Sequence, residues 1–293
     1  MAKTFVSLSK PLEPARVETL IHVARIAADL NVEFMIVGAV ARDIHFEHIW
    51  GIPTRRNTAD LDLAVQVKDW SHFERLRAGL QASTLFSPSD GRTERFLASN
   101  GTILDIIPFG GVARAGEIIF WPPDQDAMSV MGVTDAFLHA ATLELTGTDG
   151  PTQVRVASIP GLVVLKIVAI FDRTEARVKK DTNDIQFIIA NYLLTGNRAR
   201  LETGRDSDLM RTPSLDLDVI SARLLGRDMA RLSSPTTRTR LTAILEHETT
   251  SSSACPLAQE LRNLLRGDFN RARQILSALL QGFVDAKPYT EAL

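Results

Sequence analysis

The chain has 293 residues, 45% of them hydrophobic and 23% charged, with a formal net charge of −2. That length suffices for two domains with ample core, and the charge balance excludes a global polyanion-binding surface, leaving a local patch to meet any nucleic acid. Cys255 is the only cysteine, which excludes an intrachain disulfide and a thiolate metal cluster. With no basic-then-apolar leader and no run of about 20 apolar residues, no membrane partner is expected and a reducing cytoplasm is the expected compartment.

Residues 13–30 carry Val17, Leu20, Ile21, Ala24, Ile26, Ala27 and Leu30 at helical spacing and predict an amphipathic helix. A short apolar run, Phe34 to Val37, meets Gly38 and continues as Ala39-Val-Ala-Arg-Asp43, which reads as strand, tight turn and helix. Glycine there lets a ligand approach the backbone, and a helix start presents unpaired N–H groups suited to phosphate. His45 and His48 form an i, i+3 pair without a cysteine or third histidine nearby, and are expected to pack rather than bind metal. Residues 58–66 alternate with period two, which predicts a strand with Leu61, Leu63 and Val65 on one face and Asp60, Asp62, Ala64 and Gln66 on the other. Carboxylates at i and i+2 of a strand sit about 6.6 Å apart at Cα and point the same way, so water, a base or a cation must relieve their repulsion. Mg²⁺ meets that demand with the oxygen ligands it prefers; a solvated acidic face is the competing reading. Arg56 and Thr58 put a guanidinium and a hydroxyl just upstream.

Residues 68–83 read as a capped helix with Trp70, Phe73 and Leu76 toward the core, and Ser87 to Arg92 as turn chemistry. Asn100-Gly101, between two strand-like runs, is a hairpin signal. Asp105 lies inside Ile103-Leu-Asp-Ile-Ile107, where an unpaired charge costs several kcal/mol, so it needs a partner. Two readings stand: an ion pair with Arg95 of the preceding strand, or a triad with Asp60 and Asp62. Gly116 to Trp121 reads as a short strand stopped by Pro122-Pro123, and a helix is expected near Asp135 to Ala141. Thr142 to Leu145 and Val154 to Ala157 then suggest a hairpin. Residues 1–158 are thus expected to form a mixed sheet flanked by helices.

Ser158-Ile159-Pro160 opens a helix, since proline suits the first helical position. Lys166 interrupts its apolar stretch, either snorkelling to the surface or serving as a point charge for a triphosphate. Arg173, seven residues on, falls on nearly the same face. Asp181-x-x-Asp184 before an apolar run reads as a helix cap, compatible with a role in orienting Lys166. Beyond Thr195 the chain is helical and polar. Arg223, Arg227 and Arg231 form a stripe that is either a solvated helix face or a set of phosphate contacts, Glu248 to Ser253 reads as a flexible connector, and two leucine-rich helices close the chain. Residues 159–293 are expected to be a C-terminal helical domain.

Gly38-Ala39 followed by Arg56-x-Thr58-x-Asp60-Leu61-Asp62-Leu63 resembles the signature of the polymerase-beta-like nucleotidyltransferase superfamily: a Gly-Gly or Gly-Ser turn, a spacer, then Asp-hydrophobic-Asp/Glu. More narrowly, Val37 to Asp43, Gly51 to Thr58 and the Lys166 and Lys180-Asp181 region resemble the AbiEii/AbiGii toxin-type nucleotidyltransferases, over about residues 30–194. The resemblance implies an α+β, nucleotidyltransferase-like fold with a C-terminal helical domain contributing Lys166 and the Asp181/Asp184 motif. It implies transfer of NMP from an NTP to an acceptor, an RNA such as the tRNA 3′ end, in a toxin–antitoxin or phage-defence setting with a cognate antitoxin as partner. By the same resemblance Asp60, Asp62 and Asp105 bind Mg²⁺ or Mn²⁺. Gly38, Ala39, Arg42, Arg56, Thr58, Lys166 and Arg173 meet the nucleotide, and Lys166, Asp181 and Asp184 complete the catalytic set. Arg42-Asp43 is also similar to the Gly-Gly-x-x-Arg-Asp run of CCA-adding and poly(A)-type enzymes. Ala39 stands where glycine or serine is usual, which removes a hydroxyl contact to phosphate. Two further readings are a transferase acting on a small molecule or protein, and a nucleotide-binding regulatory module without turnover.

Overall fold

The computed structural model describes residues 4–54, 60–89, 91–123, 125–147, 150–171, 175–202, 204–211, 216–251 and 255–286, with backbone alone at 175–177. The chain divides into two compact units, Met1–Ser158 and Ile159–Leu293. In the first unit the elements are β1 (Phe5–Val6), α1 (Pro14–Asp29), β2 (Glu33–Val37), α2 (Gly38–Asp43) running into a π-helical Ile44–Ile49, β3 (Asp60–Val67), α3 (Trp70–Ala82), β4 (Phe86–Ser89), β5 (Arg92–Ala98) and β6 (Ile103–Gly110). They continue with β7 (Ile118–Trp121), β8 (Asp126–Ser129), α4 (Val133–Leu138), β9 (Ala141–Gly147) and β10 (Gly150–Val156). Among the described residues eight strands form one sheet in the order β1-β9-β10-β2-β3-β6-β5-β4, and β7 and β8 pair apart from it.

The sheet is mixed because its centre is. β3 runs antiparallel to β2 and parallel to β6, and β6 runs antiparallel to β5. Leu61, Leu63 and Val65 are buried as the alternation predicts, and Ala64 on the opposite face is buried too, so the far end of β3 is covered on both sides. Asp69 caps α3 by accepting the His72 N–H at 2.7 Å. Phe73 and Leu76 face the core, while Trp70 is half-buried against Trp121 of β7, with ring centroids 5.6 Å apart. Two sequence expectations are corrected. Ser87 to Ser89 belongs to β4, where Pro88 is tolerated because the strand lies at the sheet edge. The helix expected near Asp135 to Ala141 ends at Leu138, and Ala141 already pairs with Val156 in β10. The polar β8 was not anticipated; it exists as the partner of β7.

The second unit contains α5 (Ile159–Phe171), α6 (Glu175–Asn191), α7 (Arg198–Glu202), α8 (Leu217–Leu232), α9 (Pro235–Thr250), α10 (Pro256–Leu264) and α11 (Phe269–Asp285), with 3-10 turns at Tyr192–Leu194 and Ser207–Arg211. No helix among the described residues is long and apolar enough to cross a membrane. Asp216, Ser234 and Asp268 cap α8, α9 and α11 with their side chains. α8 and α11 approach closely, since a Cβ on Gly226 would lie 2.1 Å from the Leu279 carbonyl oxygen and one on Gly282 would lie 1.8 Å from that of Arg223. The expected connector at Glu248 to Ser253 is corrected in its first half: α9 continues to Thr250, with the Thr249 and Thr250 hydroxyls bonding carbonyls one turn back.

The arginine stripe of α8 is neither solvated nor turned outward to phosphate. Asp206, fully buried, accepts from Arg200 at 2.7 Å on one oxygen and from Arg227 and Arg231 at 3.1 and 3.2 Å on the other. Arg227 and Arg231 also meet Asp208 and Asp228, and Arg223 pairs with Asp285. Burial by itself raises the Asp206 pKa, but the hydrogen bonds and charges of these arginines more than offset it and hold the group near 2, below its ordinary 3.8. A carboxylate depressed in the folded state contributes stability above its unfolded pKa and loses it as pH falls through the folded value. We expect Asp206→Asn to be less stable than wild type by about 2 kcal/mol at pH 5 in urea unfolding, from the size of the shift. That gap should shrink as pH falls from about 4 to 2, and a pH-independent gap would reject the ionic role.

Candidate active site

β3 carries Asp60 and Asp62 on one face, and strand register extends that face across the sheet. Asp62 pairs with Val37 on one side and with Asp105 on the other, while Asp105 pairs with Arg95 across β5 and β6. Residues paired across strands point the same way. Asp60, Asp62, Asp105 and Arg95 therefore project from one side of the sheet. Gly38 follows Val37 directly, so the turn expected to approach a ligand lies beside Asp62. A Cβ on Gly38 would lie 2.1 Å from Asp62 Oδ2, and its φ of +68° is one that side chains resist.

Arg95 joins the carboxylates. Its Nε donates to Asp105 Oδ1 at 2.7 Å, its Nη2 to Asp105 Oδ2 at 2.6 Å, and the same Nη2 reaches Asp60 Oδ2 at 3.5 Å. The Asp105 hydrogen bond raises the Arg95 pKa, against a smaller lowering by burial. Both readings of Asp105 thus meet in one place: it is ion-paired with Arg95 and lies on the face of Asp60 and Asp62. The three aspartates do not converge as a metal cage, because they are not among the described groups whose ligand atoms all fall within 4.8 Å of one another. As hard oxygen donors on one face, with Asp60 about a third exposed, they fit a Mg²⁺ or Mn²⁺ ion in kind. Two of the four lone-pair sites of the Asp105 carboxylate are taken by Arg95.

Arg95 opposite Asp105 was legible as a strand neighbour but not as a register partner. A two-residue turn at Asn100-Gly101 would pair Phe96 with Asp105. Instead the Ala98 N–H bonds the Thr102 carbonyl, and the loop contains Ser99, Asn100 and Gly101. That one extra residue brings Arg95, rather than Phe96, opposite Asp105.

Other expected site residues are distributed differently. Arg42 is buried, with Nε and Nη2 donating to Asp43 Oδ1 at 2.9 and 2.6 Å. Burial raises the Asp43 pKa, and Arg42 opposes that rise. His45 Nε2 bonds the Ala157 carbonyl at 2.8 Å and His48 Nδ1 the Lys10 carbonyl at 3.2 Å, so both rings pack against backbone as expected. Arg56, Thr58 and Arg173 lie outside the described residues.

In the second unit Lys166 does not snorkel. It is buried, and its Nζ donates to Asp184 Oδ2 at 2.6 Å and Asp181 Oδ1 at 3.0 Å. The capping reading of those aspartates is also corrected: α6 begins at Glu175, so Asp181 and Asp184 sit inside it, three residues apart on one face.

No protein-family model matches the sequence, and no curated protein is similar to it. Among solved structures it is similar to an antigenic nucleotidyltransferase-like protein from Paracoccidioides brasiliensis, at 19% identity over 92% of this chain and 95% of that one, with a TM-score of 0.41. It is similar also to the antibiotic-resistance factor ANT(2'')-Ia, at 13% identity over 80% and 98% of the two chains and a TM-score of 0.34. A third is the Thermotoga maritima CCA-adding enzyme complexed with tRNA, at 12% identity over 93% and 82% and a TM-score of 0.25.

The contact between Gly38 and Asp62 is testable without an assay of activity. Gly38→Ala should cost about 1–2 kcal/mol for the left-handed backbone, plus the cost of displacing the Asp62 carboxylate. In urea unfolding, combining it with Asp62→Ala should remove the second part, giving less than the sum of the two single effects. Strict additivity would mean that the two residues do not touch.

Proposed function

We propose that the chain is a metal-dependent nucleotidyltransferase that moves NMP from an NTP to an acceptor hydroxyl. The observation that carries this reading is the row formed by the Gly38 turn, Asp62 and Asp105, with Asp60 beside it on the same sheet face. Asp60, Asp62 and Asp105 would hold Mg²⁺ or Mn²⁺, which when bound supplies positive charge for the attacking and leaving oxygens of phosphoryl transfer. The Gly38-Ala39 turn offers backbone N–H groups to the phosphates, and Arg56 and Thr58 would add a guanidinium and a hydroxyl. Asp105 would accept the proton of the acceptor hydroxyl. Both Asp105 oxygens accept from Arg95, so Arg95 must release one of them before the acceptor hydroxyl can reach it. The incoming triphosphate is the natural competitor for that guanidinium.

Lys166, Arg173, Asp181 and Asp184 enter this proposal through the resemblance, with Lys166 as the triphosphate cation and the aspartates orienting it. An RNA acceptor, the tRNA 3′ end, a toxin role and a cognate antitoxin rest on the same ground. Growth arrest on expression, relieved by a neighbouring gene, would support them. One observation favours a second reading: Arg95 already neutralises Asp105, as a cation would, which suits a nucleotide-binding module without turnover.

The deciding experiment incubates the protein with each α-labelled NTP, Mg²⁺ and total tRNA, and sizes the labelled products. Wild type should transfer label and release pyrophosphate, whereas Asp60→Ala should lose transfer by several orders of magnitude. Asp60 is partly exposed and its contact with Arg95 is 3.5 Å, so its loss should cost at most about 1 kcal/mol of stability and leave the melting curve nearly unchanged. Undiminished transfer by purified Asp60→Ala would overturn the assignment. Tight NTP binding without pyrophosphate release would select the second reading, and label transfer that survives nuclease treatment would point to a small-molecule or protein acceptor.

A further inference from the structure

The lone cysteine lies beside two other metal-ligating side chains. His247 and Glu248 occupy the last turn of α9, and Cys255 immediately precedes α10. One nitrogen of His247, one oxygen of Glu248 and the sulfur of Cys255 all lie within 4.8 Å of one another. Glu248 and Cys255 are buried, at 0% and 2% exposure, while His247 is exposed. Glu248 Oε2 accepts the Ala258 N–H at 2.7 Å and so caps α10 from a different helix. Its Oε1 is buried without a hydrogen-bond partner. An imidazole and a thiol thus converge on a buried carboxylate that has one oxygen without a hydrogen-bond partner.

We propose that His247, Glu248 and Cys255 form a zinc site that clips the end of α9 to the start of α10. Imidazole nitrogen, thiolate sulfur and carboxylate oxygen together are the donor set of Zn²⁺, whereas Mg²⁺ and Ca²⁺ take oxygen. Tetrahedral zinc with bonds of about 2.0–2.3 Å sets its ligand atoms roughly 3.3–3.8 Å apart, so the three groups need close by about 1.5 Å at most. Cys255 gives its proton to solvent on binding and relinquishes its weak 3.6 Å contacts with the carbonyls of His247 and Ser251. Glu248 contributes one oxygen while the other retains its contact with Ala258. The exposed His247 sets the ion at the surface, where water supplies the fourth ligand. This site is independent of the carboxylate face of β3, and sulfur distinguishes the two.

The test uses the full chain, titrated with Zn²⁺ against a chromophoric chelator and, separately, with Co²⁺ under reducing conditions. Wild type should bind zinc tightly at this site and show a sulfur-to-cobalt charge-transfer band that persists in Asp60→Ala. Cys255→Ala should lose the band, and His247→Ala, an exposed substitution expected to leave the fold intact, should weaken zinc binding on the order of 100-fold or more. Zinc should also raise the melting temperature of wild type but not of His247→Ala. Absence of the charge-transfer band in folded wild type, or unchanged zinc affinity in His247→Ala, would overturn the proposal.

Discussion

Negative charge gathered on one face of a sheet is the constraint around which the first unit is arranged. Asp62 and Asp105 are register neighbours on adjacent strands, whose backbones lie about 4.8 Å apart, and two like charges at that spacing repel by about 3 kcal/mol at an effective dielectric of 20. Arg95 relieves part of this, binding Asp105 with two hydrogen bonds and leaning toward Asp60. Gly38 makes the face usable, since any side chain there would occupy the space of the Asp62 carboxylate. Fold and candidate chemistry therefore rest on the same row of paired residues.

The second unit meets a similar difficulty and closes it. Lys166 is buried between Asp181 and Asp184, and Asp206 is buried among Arg200, Arg227 and Arg231. Removing one partner from such a cluster leaves a charge without water or counter-ion, which costs more than the intact cluster contributes. These networks fix helix registry. The difference between the units is accessibility, because Asp60 keeps about a third of its side chain exposed whereas Asp206 keeps none. Substrate chemistry needs a charge that can still change partners, and the β3 face has one.

What the sequence disclosed follows how local each signal is. Period-two alternation located β3 and its acidic face, because side-chain direction in a strand is set by neighbouring residues alone. The turn at Gly38 and the hairpin at Asn100-Gly101 were legible for the same reason. Register was not. Whether Arg95 or Phe96 stands opposite Asp105 depends on one loop residue, and dipeptide preferences do not decide between a two-residue and a three-residue loop. Partner choice among distant charges was equally hidden: Arg227 and Arg231 sit at helical spacing like any solvated stripe, and only tertiary packing brings Asp206 to them. Glu248 illustrates the reverse case, a residue in a polar run that reads as linker yet is buried because it caps a helix beginning eight residues later.

The way cations are spent constrains any nucleic-acid acceptor. Arg42, Arg95, Lys166, Arg200, Arg227, Arg231 and Arg271 all hold carboxylates, and the chain as a whole carries a net charge of −2. A cation that must leave a carboxylate to meet a phosphate gains only the difference between two charge-assisted pairs. Among the described residues, Arg95 is a guanidinium positioned to exchange partners at the candidate site, and under the proposed function an incoming triphosphate would compete with Asp105 for it.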